Sequence, residues 1–407
     1  MARRVVITGV GLTSPIGNDL DAVSRALRED RSGVRAWPEW GEVKRLRTRL
    51  GAPAIVDLST LPRKGTRTMG RVAQLSTWAT QKAVDDAGLS AELLSSGRLG
   101  IAYGSTSGST ASIEEFVGSL LDRHTLDGIQ SATYLRFMSH TCPANLAQYF
   151  AVRGRIITTC SACVSSSQAI GYAYEAVRSG TQDAMLAGGA EELGVAAAAI
   201  FDIMFATSAA YNDRPAESPR PFDASRDGLV VGEGAGTLVL ESLESARARN
   251  ARVYAEILGF GTNCDGYHMT APHENGMARV IELALADARL SADRIDYVNA
   301  HATGTDIGDS TESRATLRVL GGKVPVSSTK GFTGHTLGGC GAIESIFCLA
   351  MLRDGFLAPS RNLVQVAPDC APLDYVIGAP REARPSVIMN NNFAFAGINT
   401  SLIFGRI

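Results

Sequence analysis

The run Arg155-Ile156-Ile157-Thr158-Thr159-Cys160-Ser161-Ala162-Cys163-Val164-Ser165-Ser166 holds three kinds of structure in succession. The β-branched residues of 155–159 predict a strand. Cys160 to Cys163 predict a tight turn. From Ser165 the chain reads as a helix to Arg178, with Gly180 in the helix-stop position. Residue 163 therefore stands just after a strand and just before a helix, where unpaired N–H groups and the positive end of the helix dipole gather. Both favour a thiolate, and such positions lower a cysteine pKa from ~8.5 to as little as ~3.5–7.5. A nucleophile elbow has this strand–turn–helix form. Taken alone, Cys163 suits a buried core cysteine equally well. Cys160 and Cys163 also spell C-x-x-C, but no second such pair and no neighbouring histidine accompanies them, which argues against redox or zinc chemistry.

Outward from this stretch, strands and helices alternate. Toward the N-terminus, Arg4–Thr8 reads as a strand, Asp19–Glu29 as a helix, and Arg67–Ala87 as a long helix stopped by Gly88. Residues 33–66 are irregular. Leu99–Tyr103 is a strand leading into a Gly/Ser/Thr loop, 104–110, and a helix over 111–121. Toward the C-terminus come strands at 183–187 and 236–241 and a charged helix over 241–250. A second part begins near Val253, with strands at 254–259, 295–299, 386–390 and 400–404 and helices at 275–289, 309–320 and 339–353. This alternation predicts an α/β protein with mostly parallel sheets. With no flexible linker in view, two halves, 1–252 and 253–407, are expected to pack tightly together.

The bulk numbers exclude several classes. The chain has 407 residues, 45% hydrophobic and 20% charged, ample for a large core. A formal charge of −2 gives no sign of a nucleic-acid groove or a membrane-surface patch. No apolar run reaches the ~18 residues of a spanning helix. The basic start at Arg3-Arg4 precedes too short an apolar run for a signal leader. Seven cysteines, odd in number and irregular in spacing, point to a reducing cytoplasm rather than a disulfide framework.

Only six histidines are present, and two lie in small-residue loops after expected strands. These are Asn299-Ala300-His301-Ala302-Thr303-Gly304-Thr305 and Lys330-Gly331-Phe332-Thr333-Gly334-His335-Thr336-Leu337-Gly338. A single histidine is more often structural than catalytic. Two in Gly/Thr loops at strand ends are less ordinary, because function favours loops on rigid scaffolds.

These blocks, with Thr159–Ser166, resemble the three active-site blocks of the elongating β-ketoacyl-acyl-carrier-protein synthases. The resemblance runs over nearly the whole chain. It includes Val6-Ile7-Thr8-Gly9-Val10-Gly11, Arg226–Gly236 and Asn391–Ser401. It implies the thiolase fold, a duplicated α-β-α-β-α five-layer core with mixed, mostly parallel sheets, normally dimeric. It implies that Cys163 is acylated from an acyl-carrier thioester, and that malonyl-carrier protein is then decarboxylated. His301 and His335 would donate hydrogen bonds to the developing enolate. The amides of Cys163 and Phe395 would form a second oxyanion hole, with Phe393 in the same gate segment. Lys330 would orient the site with Glu312, and Asp309 and Glu344 would support it. Thr303 and Thr305 would contact the phosphopantetheine arm carried by the acyl carrier protein. No metal or diffusible cofactor is implied. The partners implied are the carrier protein and a second subunit, either another copy or a chain-length-factor-like chain; nucleic acid and membrane are not.

The sequence departs from the family at several places. The closing motif, usually Gly-Phe-Gly-Gly, is Ala394-Phe395-Ala396-Gly397, and its alanines restrict a backbone that swings in relatives. Ala302 stands where glycine is usual, and Gly338-Gly339-Cys340-Gly341 replaces a more alanine-rich run. Ser107 falls where relatives carry a larger apolar residue at the far end of the acyl pocket, contributed across the dimer. Met138–Thr141 and Tyr172–Ala176 resemble ketosynthases of pigment and polyene pathways, such as aryl polyenes. Arg63, Lys64, Arg67 and Arg71 are candidates for carrier docking or for a solvated helix face. Two rival readings remain: a thiolase-like or initiating enzyme on coenzyme A esters, against which the Lys330–His335 block argues, and a silent chain-length-factor-like subunit, against which Cys163 argues.

Overall fold

In the computed structural model, which describes residues 2–407, the first strand already shows how the layers close up. A Cβ on Gly9 would lie 2.5 Å from the Ala83 carbonyl oxygen, and one on Gly11 would lie 2.1 Å from that of Ala79. The strand and its covering helix touch backbone to backbone, which only glycine permits. The same device recurs later in the chain. Gly259 and Gly261 approach Ala284, Ala288 and Val280 of another helix just as closely.

That recurrence is part of a duplication. The first five strands are β1 (Val5–Thr13), β2 (Leu99–Gly104), β3 (Ile156–Thr159), β4 (Ala184–Glu191) and β5 (Gly234–Ser242). They lie in the order β1-β5-β4-β2-β3. The later strands are β6 (Ala255–Cys264), β7 (Tyr297–Asn299), β8 (Pro325–Ser327), β9 (Asp374–Tyr375), β10 (Val387–Phe393) and β11 (Ile398–Gly405). Their order is β6-β11-β10-β7-β8, with β9 added at the edge. In both sets the fifth strand is antiparallel to its two neighbours and the second is parallel to its own. β1 pairs with β6 through Val5–Ile7, which joins the two sets into one sheet. The sheet is thus mixed, with parallel pairs toward both edges and antiparallel pairs through the middle. The strands around β5 and β11 are the reason that a mostly parallel sheet is not what forms.

Helices fill the remaining layers. They are α1 (Arg71–Ala87), α2 (Ser165–Arg178), α3 (Glu274–Ala288), α4 (Asp306–Leu320) and α5 (Cys340–Asp354). α1 covers the outer face of the first strand set, packing Val72, Leu75, Ala79 and Ala83 onto Leu99, Ile101 and Val239. α3 and α4 cover the outer face of the second set. Between the sets lie α2 and α5. Their Ala169, Ile170, Ala173, Ile343, Ile346 and Phe347 share one core with side chains from both sets. α5 is buried from Cys340 to Leu352, so it shows no polar face.

Gly88 and Gly180 end their helices with positive φ, as their places in the sequence predict. Two helices, Thr141–Tyr149 and Val195–Ile203, were not legible in the sequence. The irregular 33–66 segment contains only short pieces of structure.

Candidate active site

The turn after β3 is built by its own hydroxyls. The Ser165 hydroxyl accepts from the Ser161 amide at 2.9 Å and donates to the Ala162 carbonyl at 2.7 Å. Ala162 takes a left-handed conformation, φ +49°, which turns Cys163 out of the strand line at the mouth of α2. Cys160, by contrast, is exposed and donates to the Thr106 carbonyl at 3.1 Å. All seven cysteines are free thiols, so the C-x-x-C is not a disulfide.

β7 and β8 deliver the two histidines from the other set. His335 Nε2 lies 3.0 Å from Cys163 Sγ. The two imidazoles meet edge to face at 5.0 Å between ring centres, and one ligating atom from each of Cys163, His301 and His335 falls within 4.8 Å of the others. The loop carrying His301 hangs on carboxylates. Glu312 accepts from the His301 and Ala302 amides at 2.8 and 2.7 Å, and Asp309 accepts from Gly304 and Phe222 amides at 3.1 and 2.7 Å.

Lys330 is fully buried and paired with Glu344. The expected Lys330–Glu312 pairing is therefore not the one formed, because Glu312, on α4, is turned toward the His301 and Ala302 amides. Glu344 also accepts from Asn392 Nδ2 at 2.7 Å. The Asn392 amide is fixed in turn by Ser167, whose hydroxyl donates to its Oδ1 at 2.6 Å. That orientation points Nδ2 at His301 Nδ1, 3.5 Å away, and leaves the Nε2 of His301 as the ring's N–H.

Cys163, His301 and His335 line a cavity of about 580 Å³. Thr303, Thr305, Phe393 and Phe395 line it too. Phe393 sits 6.2 Å from the His301 ring, and Phe395 packs on Phe201 at 5.8 Å. Ser107 is half-buried in its loop and does not line this cavity. Of the four basic residues, Arg63, Lys64 and Arg67 are exposed, whereas Arg71 forms a bidentate pair with buried Glu233.

Burial dominates the site's protonation. Both histidines are held well below the ordinary imidazole value, first by burial and then by the Lys330 charge, so both are neutral at pH 7. Burial pushes the Cys163 thiol up to about 12, against the pull of Lys330. The low thiol pKa expected from the helix N-terminus is not found in the resting site. The dipole acts there, but the side chain is only 7% exposed, and loss of water outweighs it. The thiol keeps its proton, with His335 Nε2 within hydrogen-bond reach of the sulfur.

Family models for the N-terminal and C-terminal domains of beta-ketoacyl synthase match residues 2–246 and 254–364. This chain belongs to the beta-ketoacyl synthase family. It is similar to 3-oxoacyl-[acyl-carrier-protein] synthase 1 of Haemophilus influenzae, 37% identical over 405 residues and 99% of each chain. A crystal structure of a beta-ketoacyl synthase from Burkholderia phymatum is 50% identical, with a TM-score of 0.96 over the full length of both chains. The ishigamide ketosynthase/chain length factor superposes with a TM-score of 0.92 at 34% identity, again over both full lengths. The synthase therefore has the thiolase fold and is an acyltransferase.

Sequence reasoning missed Asn392, which links both the lysine pair and His301, and Glu191, a buried carboxylate at the end of β4. The available signals were three consecutive asparagines, 390–392, within an otherwise apolar strand, and a glutamate closing Ala184–Glu191.

Proposed function

We propose that this synthase condenses an acyl group held on Cys163 with malonyl-acyl-carrier protein, lengthening the chain by two carbons. The contact between Cys163 Sγ and His335 Nε2 at 3.0 Å, on the wall of an open cavity, carries this reading. In the first half-reaction His335 takes the thiol proton as sulfur attacks the acyl thioester, and the proton leaves with the carrier thiol. The amides of Cys163 and Phe395 hold the oxyanion. Once sulfur is acylated it no longer presents a proton to His335, and the ring, whose Nδ1 has no protein partner, carries its single proton on Nε2 for the second half-reaction. Malonyl thioester then loses CO₂, and the enolate oxygen receives hydrogen bonds from His301 and His335. Carbon attacks the acyl-cysteine, the sulfur departs as thiolate, and it takes up from water the one proton that the decarboxylative condensation consumes. Neutral imidazoles suit this step because their N–H hydrogen-bonds the enolate oxygen without handing over its proton, which leaves the carbon nucleophilic. Lys330 acts through Glu344 and through its field, and Asp309 and Glu312 hold the His301 loop.

Residues 1–252 supply the nucleophile and 253–407 the histidines. Thr303 and Thr305, on the cavity wall, suit the phosphopantetheine arm, which arrives on the carrier protein; no other cofactor is required. β3 ends the sheet with an open edge on which Ile156 is 45% exposed, and Leu120 and Leu121 at the end of the helix Thr110–Leu121, with Leu126 just beyond it, are exposed. These features support a dimer, with a second copy or with a chain-length-factor-like chain. Among the described residues no helix is long and apolar enough to cross a membrane, and free cysteines favour the cytoplasm. Ser107 and the altered gate fit a polyene or polyketide role beside fatty acid synthesis.

Intact-mass analysis tests this reading. Acyl-carrier thioesters of varied length and unsaturation should leave an adduct on Cys163 that malonyl-carrier protein converts to a product two carbons longer. Cys163→Ala should show neither. Preference for polyenoyl over saturated donors would place the enzyme in polyene work. Absence of any adduct from the pure chain would support the silent-subunit reading, and turnover of acetyl-coenzyme A without malonyl substrate the thiolase-like one.

A further inference from the structure

The duplication repeats the nucleophile elbow. Cys163 follows left-handed Ala162 and leads, through one short turn, into α2. In the second strand set Gly338 follows left-handed Leu337, φ +45°, and leads through an equivalent turn into α5. Gly338 is thus the topological mate of Cys163, and its amide stands where the Cys163 amide stands in the first set. There the site for an anion is already filled. Glu191 Oε2 accepts from the Gly338 amide at 3.1 Å and from the Thr106 amide at 2.7 Å. Its Oε1 accepts from the Ser105 hydroxyl at 3.1 Å, and the residue is only 2% exposed.

The contact joins parts that are distant in sequence. Ser105 and Thr106 belong to the loop after β2, beside Cys160, and Gly338 lies three residues after His335. The carboxylate therefore spans the seam between the nucleophile's strand set and the histidines' strand set. Space at the seam is tight: a Cβ on Gly338 would fall 2.7 Å from the Thr106 amide nitrogen and 2.8 Å from Glu191 Oε2.

We propose that Glu191 is a positioning residue, an internal anion that pins the second elbow to the 105–106 loop and so holds His335 at contact distance from Cys163. This rests on Cys163 and His335 acting as the reactive pair. A carboxylate suits the task because both amides only donate, and a helix N-terminus favours a negative group.

The test uses the full-length protein and two readouts. One is condensation, as kcat and KM for malonyl-carrier protein. The other is the rate of Cys163 alkylation by iodoacetamide from pH 6 to 10, followed by mass. Glu191→Ala should lower kcat at least ~30-fold with KM within ~3-fold, and should move the alkylation profile. Glu191→Gln, whose oxygen can still accept from both amides, should restore kcat to within ~5-fold of the parent. Its alkylation midpoint should move to lower pH, because a negative charge near the thiol is gone. Gly338→Ala, which leaves the charge intact and wedges the seam, should reproduce the kcat loss, and it serves if Glu191→Ala does not fold. A Glu191→Ala or Gly338→Ala protein with kcat within 3-fold of the parent would overturn the proposal. So would a Gln variant as slow as the Ala variant with an unmoved profile. A parent enzyme that alkylates at Cys163 but condenses nothing would count against the condensation reading alone, since the alkylation profiles still report on the seam.

Discussion

The two elbows share a backbone and differ in everything that backbone presents. Ala162-Cys163 and Leu337-Gly338 both spend a non-glycine residue in the left-handed region, and both open a central helix. The first holds a thiol at the cavity wall and is braced from below by the hydroxyls of Ser165 and Thr159. The second presents no side chain at all. It is covered by Glu191, the segment before it carries the buried Lys330, and α5 after it carries the partner Glu344. In the proposed reaction, one copy of the fold is the place where a bond forms. The other has become the electrostatic frame around it. The difference teaches that duplication supplies two helix N-termini, and that chemistry needs only one of them open.

The largest effect should come from breaking the ion pair, which only the second elbow has. Removing one partner of a buried pair leaves an uncompensated charge and costs about 3–5 kcal/mol. Lys330→Met should lose about that much in chemical denaturation, and condensation should fall at least ~100-fold. Adding Glu344→Gln removes the stranded charge, so most of the stability should return. Activity should not return, because the field on both histidines and the Asn392 tether are altered together. If the double variant regained condensation, the pair would be scaffolding only, and the contrast between the elbows would lose its electrostatic half.

The sequence made the first elbow legible and left the second almost invisible. A β-branched run, a small-residue turn and a helix closed by Gly180 sit within one local stretch, so Cys163 could be placed from neighbours alone. His301 and His335 were legible because histidine is rare here and both lie in small-residue loops. The partner of Lys330 was not, since Glu312 and Glu344 are both carboxylates on helices, and only packing decides which one turns inward. The acidity of Cys163 was misread for a related reason: a helix N-terminus shows in sequence, whereas depth of burial does not. The sheet is mixed as the resemblance implies, but its parallel share was overestimated, because alternation of strand and helix reveals crossovers and not β5 and β11, which return antiparallel. Glu191 gave no pattern at all beyond a charge ending an apolar strand.

A smaller effect concerns pH, and here the second strand set opposes itself. His301 and His335 are neutral in the fold but titrate near 6.5 when unfolded. Their contribution is complete above pH 6.5 and is lost as pH falls below it, by on the order of 1 kcal/mol per histidine per pH unit. Glu312 runs the other way: burial raises it to about 8, so its contribution is present at low pH and is lost as pH rises from about 4.5 to 8. Between pH 5.5 and 6.5 the two trends partly cancel. The stability advantage of the parent over His335→Asn should therefore grow by about 1 kcal/mol across that window in urea melts. The advantage of the parent over Glu312→Gln should shrink over the same window. A pH-independent difference for His335→Asn would mean that the imidazole titrates alike in both states, and the burial argument for a neutral donor would fail.

The smallest effect separates a locked left-handed residue from a movable one. Ala396 has φ +63° in the gate, and its amide donates to the Met269 carbonyl at 2.7 Å. A left-handed non-glycine residue costs roughly 1–2 kcal/mol, while glycine adds roughly 0.5–1 kcal/mol of unfolded-state entropy. Ala396→Gly should therefore change stability by no more than about 1 kcal/mol. Its effect should appear in turnover, because glycine lets Phe395 swing through backbone angles that alanine forbids. A rise of about 2–5-fold in kcat, with KM for malonyl-carrier protein little changed, is expected in steady-state assays. Ala162→Gly relieves the same kind of strain at the elbow, where the Ser165 hydroxyl and the helix hold the turn shut. Freedom there brings no motion the reaction uses, and a turn that must aim the thiol is loosened. Its kcat should stay level or fall. If both glycine variants sped turnover alike, general loosening would explain the gain, and the distinction between a gate and an elbow would disappear.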